Sequence, residues 1–595
     1  MLRPILPALL LLLGPLVAQD PRLVVDLSAS GSGAATNPFL GSGPRPGESL
    51  VALDDGVHGT ELWRTDGTTA GTVLVTELVP GARGASFLVG TGDPSGCYFV
   101  ADRGAGQEMW RTDGTAAGTQ LLFSALSVGA PFLGPPQLYY RLGSHWLFNS
   151  VNQLWLSDGT PNGTVPLGVG ASNVMLVYAG SFYANDETTA MQVHVITPTS
   201  PPTVVTFANS FATSYRGEPI VTHYTPAPTS TITAIARPGQ PSVTVNGQVI
   251  PFEFANALAW FDPQYGLWTW DLANAPVQLF ANTATPTGEY ALVLGDRLLF
   301  VGQDAAHGLE PWITDGTVAG THVLDLTPGP TGSVFSLVAP LARGQRALLW
   351  RDTPATGAEP WSTDGTVAGT QMIADLEPGP AGSAIEAFAW SIGMVGQRRL
   401  VAPVQTQSRG WELWLTDGTA SGSRFLNEIR PGPADGLPFP MFVYPWGAGH
   451  RVLFTADDGV HGNELWAVDL EGSTTLLQWQ GTRTFEVRGD AVIGAAVEFA
   501  SSGLAAPDIG AVAVGWPAVA TPLGAGGNYL LVDLGLSLPW LPITPDSNGA
   551  WSQSVVVPNL PGLAGLDLVA QAGFLGPSTG SAVELGSAFW LGIGN

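Results

Sequence analysis

The stretch Glu61–Thr72, ELWRTDGTTAGT, is repeated along this chain and decides its architecture. Its Glu-Leu-Trp core and the Asp-Gly-Thr that follows recur in two runs, from Trp63 to Trp155 and from Trp312 to Trp466, and within each run the motif tryptophans of neighbouring copies lie 45 to 53 residues apart. The motif residues are Trp63 and Asp66, Trp110 and Asp113, Trp155 and Asp158, Trp312 and Asp315, Trp361 and Asp364, Trp414 and Asp417, and Trp466 of a worn last copy. This period matches a four-stranded propeller blade better than a two-helix repeat.

The composition also favours strands over helices. The chain has 595 residues with 76 Gly and 49 Pro, and only 12% of its residues are charged. Gly and Pro interrupt helices and mark tight turns. Since 45% of the residues are hydrophobic, a packed core is expected rather than disorder. The sequence therefore predicts an all-β protein.

One repeat can be followed strand by strand from residue 291. Strands are predicted at 291–294, 297–301, 310–314 and 322–326. Between the last two lies the turn 315–317, in which Gly accepts a positive φ and Asp accepts hydrogen bonds from nearby amides. We expect the motif tryptophan to fill the gap between adjacent sheets, because a large aromatic side chain buries much surface.

Residues 171–290 lack the repeated phrase but keep its rhythm. We interpret them as degenerate blades, and an inserted module of another fold is the alternative. Strands are predicted at 181–183, 192–196, 203–205, 219–221, 231–235, 242–245, 257–260, 267–270 and 277–280. Together with the regular copies this gives a propeller of ten or eleven units over residues 21–516, in one large array or two smaller ones.

The first strand, 23–27, resembles the fourth strand of a unit whose other strands are missing. Segments 485–487, 491–494 and 509–512 are candidates for those missing strands. The N-terminal strand would then complete the last sheet and remove an open edge.

The two ends of the chain are different in character. Residues 1–18 combine Arg3 with a short apolar run and are typical of a signal peptide, which predicts a secreted or cell-surface protein. No later segment is apolar enough to span a membrane. Residues 517–595 lack the repeat, and strands at 528–532, 552–557 and 566–571 predict a small β-sandwich. With Cys97 as its one cysteine, the chain has no internal disulfide.

The charge of the chain excludes several classes of function. Its net charge is −26, so nucleic acid is not an expected partner. All 22 basic residues are arginine, which excludes catalysis or phosphate binding by lysine. No zinc-protease or calcium-loop pattern occurs, so no metal ligand, cofactor or catalytic residue is assigned. Calcium bound by the acidic surface is the minority interpretation, and it requires that EDTA lower the melting temperature.

The repeated phrase resembles the ELWxxDGT repeat of exported bacterial proteins. Its Thr-Asp-Gly-Thr turn is similar in position to the Asp-box of sialidase-type propellers. The resemblance covers about residues 50–170 and 290–480. It implies propeller architecture, and the family has no assigned catalytic residues. Residues 517–595 resemble the small β-sandwich that ends many exported planctomycete proteins, and the resemblance extends to the final Leu-Gly-Ile-Gly at 591–594. This resemblance implies a role in surface attachment or sorting.

Three loops combine acids with a histidine at the same place in their repeats. They fall between the second and third predicted strands, at the end of the sheet that usually binds ligands in propellers. A group of carboxylates and imidazoles there is suited to calcium, a glycan or a peptide. The alternative is that these side chains only satisfy local backbone amides. The residues are Asp54, Asp55, His58, Asp304, His307, Asp457, Asp458 and His461.

Catalysis would require one unit to differ from the others. The degenerate units hold the acids and bases from which a glycosidase-like carboxylate pair would be drawn: Asp186, Glu187, His194, Tyr215, Arg216, Glu218, His223 and Glu253. We expect instead a monomeric, non-catalytic binding scaffold for an extracellular glycan or protein. The alternative is a glycan-active hydrolase or lyase with its site in the degenerate units.

Overall fold

All regular structure in the chain is β-strand. The computed structural model describes residues 21–27, 33–42, 48–93, 96–124, 137–142, 145–150, 153–169, 173–178, 181–186, 192–198, 202–207, 210–215, 218–224, 229–234, 242–246, 249, 251–255, 257–262, 264, 266–282, 291–341, 345–385, 393–395, 399–437, 443–448, 451–469, 473–478, 484–488, 496–502, 509–515, 517–523, 528–532, 541–544, 551–556, 567–575 and 584–592. Within these ranges no helix occurs, and thus none long and apolar enough to cross a membrane. The predicted all-β class is confirmed.

Strands β1 to β41 form ten antiparallel sheets among the described residues, each with four strands in a row and one with a fifth at its edge. Sheet 1 consists of β2 (Ala34–Ser42) to β5, sheet 2 of β6 to β9, sheet 3 of β10 to β13, sheet 4 of β14 to β17 and sheet 5 of β18 to β21. Their further bounds are β3 Ser49–Asp54, β4 Thr60–Thr65, β5 Val73–Thr76, β6 Ser86–Asp93, β7 Gly96–Asp102, β8 Gln107–Thr112, β9 Gln120–Ser124, β10 Gln137–Leu142, β11 His145–Ser150, β12 Gln153–Ser157, β13 Val165–Pro166, β14 Asn173–Tyr178, β15 Ser181–Asp186, β16 Gln192–Thr197, β17 Thr203–Phe207, β18 Ser210–Tyr215, β19 Glu218–Tyr224, β20 Thr229–Ala234 and β21 Ser242–Asn246.

Sheets 6 to 10 follow the same plan. Sheets 6 to 8 are β22 to β25, β26 to β29 and β30 to β33, sheet 9 is β34 to β38, and sheet 10 is β39 to β41 with β1 (Arg22–Val25). Their bounds are β22 Phe252–Phe254, β23 Ala257–Phe261, β24 Leu267–Trp270, β25 Val277–Phe280, β26 Ala291–Leu294, β27 Arg297–Asp304, β28 Gly308–Thr314, β29 His322–Val323, β30 Val334–Leu341, β31 Arg346–Thr353, β32 Gly357–Thr363, β33 Gln371–Met372, β34 Ala384–Ile385, β35 Gly393–Val395, β36 Arg399–Thr406, β37 Gly410–Thr416, β38 Arg424–Phe425, β39 Val443–Ala448, β40 Arg451–Asp457 and β41 Asn463–Asp469.

The degenerate segment belongs to this series of sheets. Sheets 4, 5 and 6 lie entirely within residues 171–290 and have the same strand order as the repeats that carry the motif. The predicted strands of this segment are the second, third and fourth strands of the three sheets. An inserted module of another fold is therefore contradicted for the described part of this segment.

The chain divides into two compact units. One comprises residues 1–131, 385–416 and 424–595, and holds sheets 1, 2 and 10 with strands β35 to β38. The other comprises residues 132–384 and 417–423, and holds sheets 3 to 8.

The hydrophobic core of each unit lies between neighbouring sheets. In the first unit, Trp63 of sheet 1 packs with Leu453 and Leu465 of sheet 10. In the same way, Trp110 of sheet 2 packs with Leu62 of sheet 1. Each tryptophan thus faces the preceding sheet, where it removes a large apolar area from water. The predicted gap-filling role agrees with this packing.

Cys97 lies in the same layer of core as Trp110. Its side chain is buried, and its thiol donates to the carbonyl oxygen of Leu40 at 2.9 Å. It therefore behaves as a small buried side chain.

The N-terminal strand completes a sheet, but not with the partners expected from the sequence. Leu23 of β1 lies opposite Trp466 of β41, so β1 is the fourth strand of sheet 10. The worn last copy has no Asp-Gly-Thr turn and no fourth strand of its own. Strand β1 fills that edge, and Arg22 contacts Asp469 at 3.2 Å. The proposed partners at 485–487 and 509–512 were wrong, and 491–494 lies outside the described residues.

Strands that follow sheet 10 pair with the C-terminal segment. The predicted boundary after residue 516 does not follow this pairing, because β42, β44 and β45 all pair with strands beyond it. The three sheets are β42-β51-β50-β45-β48, β43-β44-β49 and β46-β47. The bounds are β42 Ser473–Gln478, β43 Thr484–Arg488, β44 Ala496–Ser502, β45 Ile509–Gly515, β46 Pro517–Leu523, β47 Asn528–Val532, β48 Leu541–Ile543, β49 Trp551–Val556, β50 Asp567–Leu575 and β51 Glu584–Gly592.

Candidate functional site at the hairpin ends of the sheets

The structure places the eight candidate residues in hairpins between second and third strands. These are the β3–β4 hairpin of sheet 1, the β27–β28 hairpin of sheet 7 and the β40–β41 hairpin of sheet 10. Because the sheets are antiparallel, the Asp-Gly-Thr turns between third and fourth strands lie at the opposite end. The hairpin end also receives the segment that leads to the next sheet, since the amide of Ala85 donates to the carbonyl of Thr60 at 2.8 Å.

In each hairpin one aspartate contacts two backbone amides and the histidine ring. In sheet 1, Oδ1 of Asp55 accepts hydrogen bonds from the amides of Val57 and His58 at 3.0 and 2.8 Å. Its Oδ2 lies 2.7 Å from Nδ1 of His58. Asp458 makes the same three contacts in sheet 10, and Asp304 makes them in sheet 7.

The other two candidate aspartates also satisfy backbone groups. Oδ1 of Asp54 accepts from the amide of Gly56 at 2.8 Å, and Oδ1 of Asp457 accepts from the amide of Gly459 at 2.7 Å. These aspartates thus accept hydrogen bonds from amides of their own hairpins, and Oδ2 of Asp457 also lies 3.3 Å from Nη1 of Arg430 in the segment that leaves sheet 9. This observation favours the interpretation in which the acids and histidines first stabilise their own loops.

The pairing changes the acidity of both partners. The hydrogen bond to Asp55 raises the pKa of His58, against the opposing effect of desolvation. Burial acts to raise the pKa of Asp55, but hydrogen bonds from His58 and Val57 outweigh it and the net shift is downward. The pKa values of His307 and His461 are raised for the same reason. Both shifts favour the charged pair.

A basic residue beside an acid recurs at this position. Nε2 of His58 lies 3.9 Å from Oε1 of Glu77, which follows the fourth strand of sheet 1. In sheet 9 the same hairpin position is Arg409, whose Nη1 lies 2.5 Å from Oε1 of Glu428. The contact joins the hairpin to the segment that leaves the sheet.

The glutamate of the repeated phrase has a role that the sequence analysis missed. The side chain of Glu61 is fully buried, and its oxygens accept from the amides of Leu78 and Val79 at 2.6 and 2.9 Å. Glu359 accepts from the amides of Leu376 and Glu377, both at 3.0 Å. Buried amides need such acceptors. The signal was present in the sequence, because in six of the seven copies a glutamate lies two residues before the tryptophan, on the same side of the strand, and the copy at Trp155 has Gln153 instead.

These glutamates are buried acids with perturbed pKa values. Burial raises the pKa of Glu61, Glu310 and Glu359. The hydrogen bonds that these side chains accept lower the pKa, but the effect of burial is larger. For Glu412 burial raises the pKa to about 7. A carboxyl group with a raised folded-state pKa holds its proton longer in the folded state. The contribution of Glu412 to the free energy of unfolding therefore falls as pH rises from 4.5 towards 7.

The Asp-Gly-Thr turn satisfies its own backbone. Oδ1 of Asp66 accepts from the amide and the hydroxyl of Thr68 at 2.8 and 2.6 Å. The hydroxyl of Thr68 accepts from the amide of Gly71 at 3.0 Å, and a Cβ on Gly71 would overlap the Asp66 carboxylate. The motif aspartates Asp113, Asp158, Asp315, Asp364 and Asp417 accept the same pair of bonds.

The same turn also docks on the neighbouring sheet. Arg297 at the start of β27 donates to the carbonyl of Asp364 in sheet 8 at 2.8 Å, and Arg451 at the start of β40 donates to the carbonyl of Asp66 in sheet 1. Gly67 has φ +77°, and a Cβ there would overlap the Arg451 side chain. The glycine thus serves both a left-handed turn and close approach of the next sheet.

The degenerate sheets hold no described catalytic pair. His194 is buried, and its Nδ1 lies 2.9 Å from Oγ1 of Thr206. Glu253 is exposed on β22. The other candidates are Asp186, Tyr215, Glu218 and His223, which lie in strands β15, β18 and β19, and Glu187 and Arg216, which lie outside the described residues. Across the described ranges, no group of three or more His, Cys, Asp and Glu residues is arranged to hold a metal ion.

Comparison with known proteins gives only distant similarities. No family model matches the chain, and no curated protein matches it. A puromycin-hydrolysing peptidase from Mycobacterium tuberculosis is 15% identical over 54% of this chain, with a TM-score of 0.27, and the match spans 58% of the peptidase. The β-propeller domain of the Trilobed protease from Pyrococcus furiosus is 13% identical over 58% of this chain and 98% of its own, with a TM-score of 0.25. TM-scores this low support no inference about activity.

Proposed function

We propose that the chain is a non-catalytic binding scaffold that acts outside the cell, secreted or at the cell surface, on a glycan or a protein. The observation that carries the proposal is a repeated surface feature. The hairpins at 54–59 and 457–462 have the identical sequence DDGVHG, and the valine at each tip is exposed. An exterior location follows from the signal-peptide character of residues 1–18.

The two tips lie on neighbouring sheets of one compact unit. Val57 on sheet 1 is 64% exposed and Val460 on sheet 10 is 80% exposed. Asn463 beside the second tip donates to the carbonyl of Ala34 in sheet 1 at 3.2 Å, so the hairpin ends of the two sheets are adjacent. Two apolar tips flanked by imidazoles form a surface that contributes little to packing. Contiguous apolar patches with polar rims mark interaction sites, and we propose that the two adjacent tips together form the centre of such a patch.

The hairpins are preorganised for binding. Asp55 fixes the amides on both sides of the Val57 tip, and Asp458 does the same at Val460. A loop already held in one conformation loses less entropy when a partner binds. Presentation of similar loops by several sheets also suits a repetitive or multivalent partner, because linked weak contacts raise the overall affinity.

A catalytic role has less support in the same residues. A general acid or base needs a side chain that reaches substrate. The aspartates of the hairpins accept hydrogen bonds from their own backbone, and His194 of the degenerate sheets is buried. Glu253 is exposed on β22, and a carboxylate pair between it and another of the candidate acids in the degenerate sheets would need a partner whose side chain lies outside the described part of the chain.

An array of bacterial surface polysaccharides, probed with the mature protein, tests the proposal. We expect saturable binding to one class of glycan, with no new reducing ends or unsaturated products after prolonged incubation. Release of such products from the bound glycan would contradict the scaffold and favour the hydrolase or lyase. If no glycan binds, an affinity screen against extracellular proteins tests the protein arm of the proposal.

A further inference from the structure

One position in the hairpins carries a base in four sheets of this chain. This position is followed directly by a glycine, which is the first residue of the third strand or the residue just before it. The residues that occupy the position are His58, His307, Arg409 and His461. An acid follows the fourth strand in each of these sheets: Glu77, Asp325, Glu428 and Asp26. A contact between the base and this acid is described in two of the four sheets, between His58 and Glu77 and between Arg409 and Glu428. In sheet 8 the position is Thr356, which bonds only to groups of its own hairpin among the contacts described.

The arginine version shows what the pairing does. Arg409 in the hairpin of sheet 9 forms an ion pair with Glu428 at 2.5 Å. Glu428 lies next to Ile429, whose amide donates to Glu412. The ion pair thus fastens the hairpin to the segment that the buried glutamate anchors. An arginine keeps its charge at every physiological pH.

The histidine version has the same partners but a charge that depends on pH. The His58 ring bridges two acids, with Nδ1 2.7 Å from Asp55 and Nε2 3.9 Å from Glu77. Imidazole can donate through both nitrogens only when it is protonated. A neutral ring that keeps its bond to Asp55 presents a lone pair to Glu77, and the attraction across the hairpin is lost.

We propose that His58 is a pH-dependent clamp that fastens hairpin 54–59 to the outgoing segment at Glu77 when protonated and releases it when neutral. Arg409 is the permanent form of the same clamp. The inference does not depend on the ligand proposed above, because it concerns the hairpins themselves.

The acids around each ring favour its protonated form. His58 interacts with Asp55, Glu77 and Glu61, which belong to the hairpin, the outgoing segment and the third strand. The corresponding groups are Asp304, Asp325 and Glu310 around His307, and Asp458, Asp26 and Glu464 around His461. A cation is also present at the hairpin of His461, where Nη1 of Arg430 lies 3.3 Å from Oδ2 of Asp457.

The sign of the pH dependence follows from these surroundings. The folded-state pKa of each imidazole is raised above its ordinary value of 6.5. The clamp is therefore complete below pH 6.5 and is lost as pH rises through the raised folded-state pKa. Release at higher pH increases local opening of the hairpin without unfolding the sheet.

Amide hydrogen exchange followed by mass spectrometry tests the proposal within one molecule. Rates are corrected for the intrinsic effect of pH. We expect the peptide that contains hairpin 54–60 to exchange severalfold faster above the imidazole pKa than below it. The peptide with the Arg409 hairpin is the internal reference and should show no such change. Equal behaviour of the histidine and arginine hairpins would overturn the proposal.

Two substitutions at one position separate charge from structure. His58→Arg should make exchange of hairpin 54–60 slow at all pH values, as in the Arg409 hairpin. His58→Gln should make it fast at all pH values. If His58→Gln keeps the pH dependence of the unaltered protein, the imidazole is not the clamp and the proposal fails. Hairpin 457–463 in each variant reports whether the remainder of the protein is unchanged.

Discussion

Replacing Glu359 by glutamine is expected to lower the free energy of unfolding by about 2–3 kcal/mol, because one buried backbone donor loses its acceptor. The carboxylate of Glu359 accepts from two amides and from the hydroxyl of Ser383 at 2.9 Å. Glutamine has the same size, but its amide group would face one of these donors with hydrogens of its own. Denaturant unfolding followed by far-UV circular dichroism measures the loss.

Asp352→Asn is the matched control for this substitution. Asp352 is exposed in the same sheet, at the end of β31, so its replacement removes the same charge without uncovering a buried donor. Its effect should stay within about 0.5 kcal/mol. If the two variants lose equal stability, the buried glutamate does not anchor the outgoing segment as described.

Replacing Trp414 by alanine is expected to cost about 3–5 kcal/mol, because it leaves a large cavity in a fully buried place. Trp414 in β37 is 0% exposed and lies opposite Ala402 and Phe425. The neighbouring strands have no spare volume with which to fill the gap, since protein interiors are closely packed. The same unfolding measurement gives the loss.

Trp411→Ala makes the same chemical change in the same strand. Trp411 is only partly buried against the core cluster of sheets 9 and 10. Its truncation should therefore cost clearly less than that of Trp414. Equal costs at the two positions would show that the motif tryptophan has no special place between the sheets.

The local structure of the repeats was predictable from the sequence. The strand predicted at 291–294 is β26, and the predicted turn at 315–317 lies between β28 and β29. Short-range rules suffice here, because alternation of apolar residues and the Asp-Gly pair specify strands and turns within a few residues. The fourth strand was predicted too long: it is His322–Val323 rather than 322–326, because the following amides turn towards Glu310.

The long-range pairing of the chain ends was not predictable in the same way. Strand β1 pairs with β41 across more than four hundred residues, and β42 pairs with β51. No local sequence pattern identifies the strand with which an edge strand will pair. The absence of a fourth strand after Trp466 was the available clue, because an incomplete sheet offers its edge to another strand.

The candidate site was predictable in position and not in detail. The loop of His58 lies between second and third strands as the repeat implied, and its imidazole contacts Asp55. Its second partner, Glu77, belongs to a segment whose path depends on the buried Glu61. In the sequence, Glu61 and its counterparts are simply polar residues within a strand, replaced by Gln153 in the copy at Trp155. The burial of Glu61 becomes evident only when the outgoing backbone is seen against it.

The turn end of a sheet contacts the neighbouring sheet, and we propose that the hairpin end binds the partner. The most direct test compares two double variants on whatever partner the screen identifies. Val57→Asp with Val460→Asp changes the hairpin tips, and Val318→Asp with Val367→Asp changes the turn tips, where the valines are 58% and 52% exposed. All four side chains are exposed, so both variants should keep the unaltered melting temperature. We expect the hairpin variant to bind at least tenfold more weakly, a loss of about 1.4 kcal/mol, and the turn variant to bind as the unaltered protein does. The reverse pattern, or equal loss in both, would contradict the account.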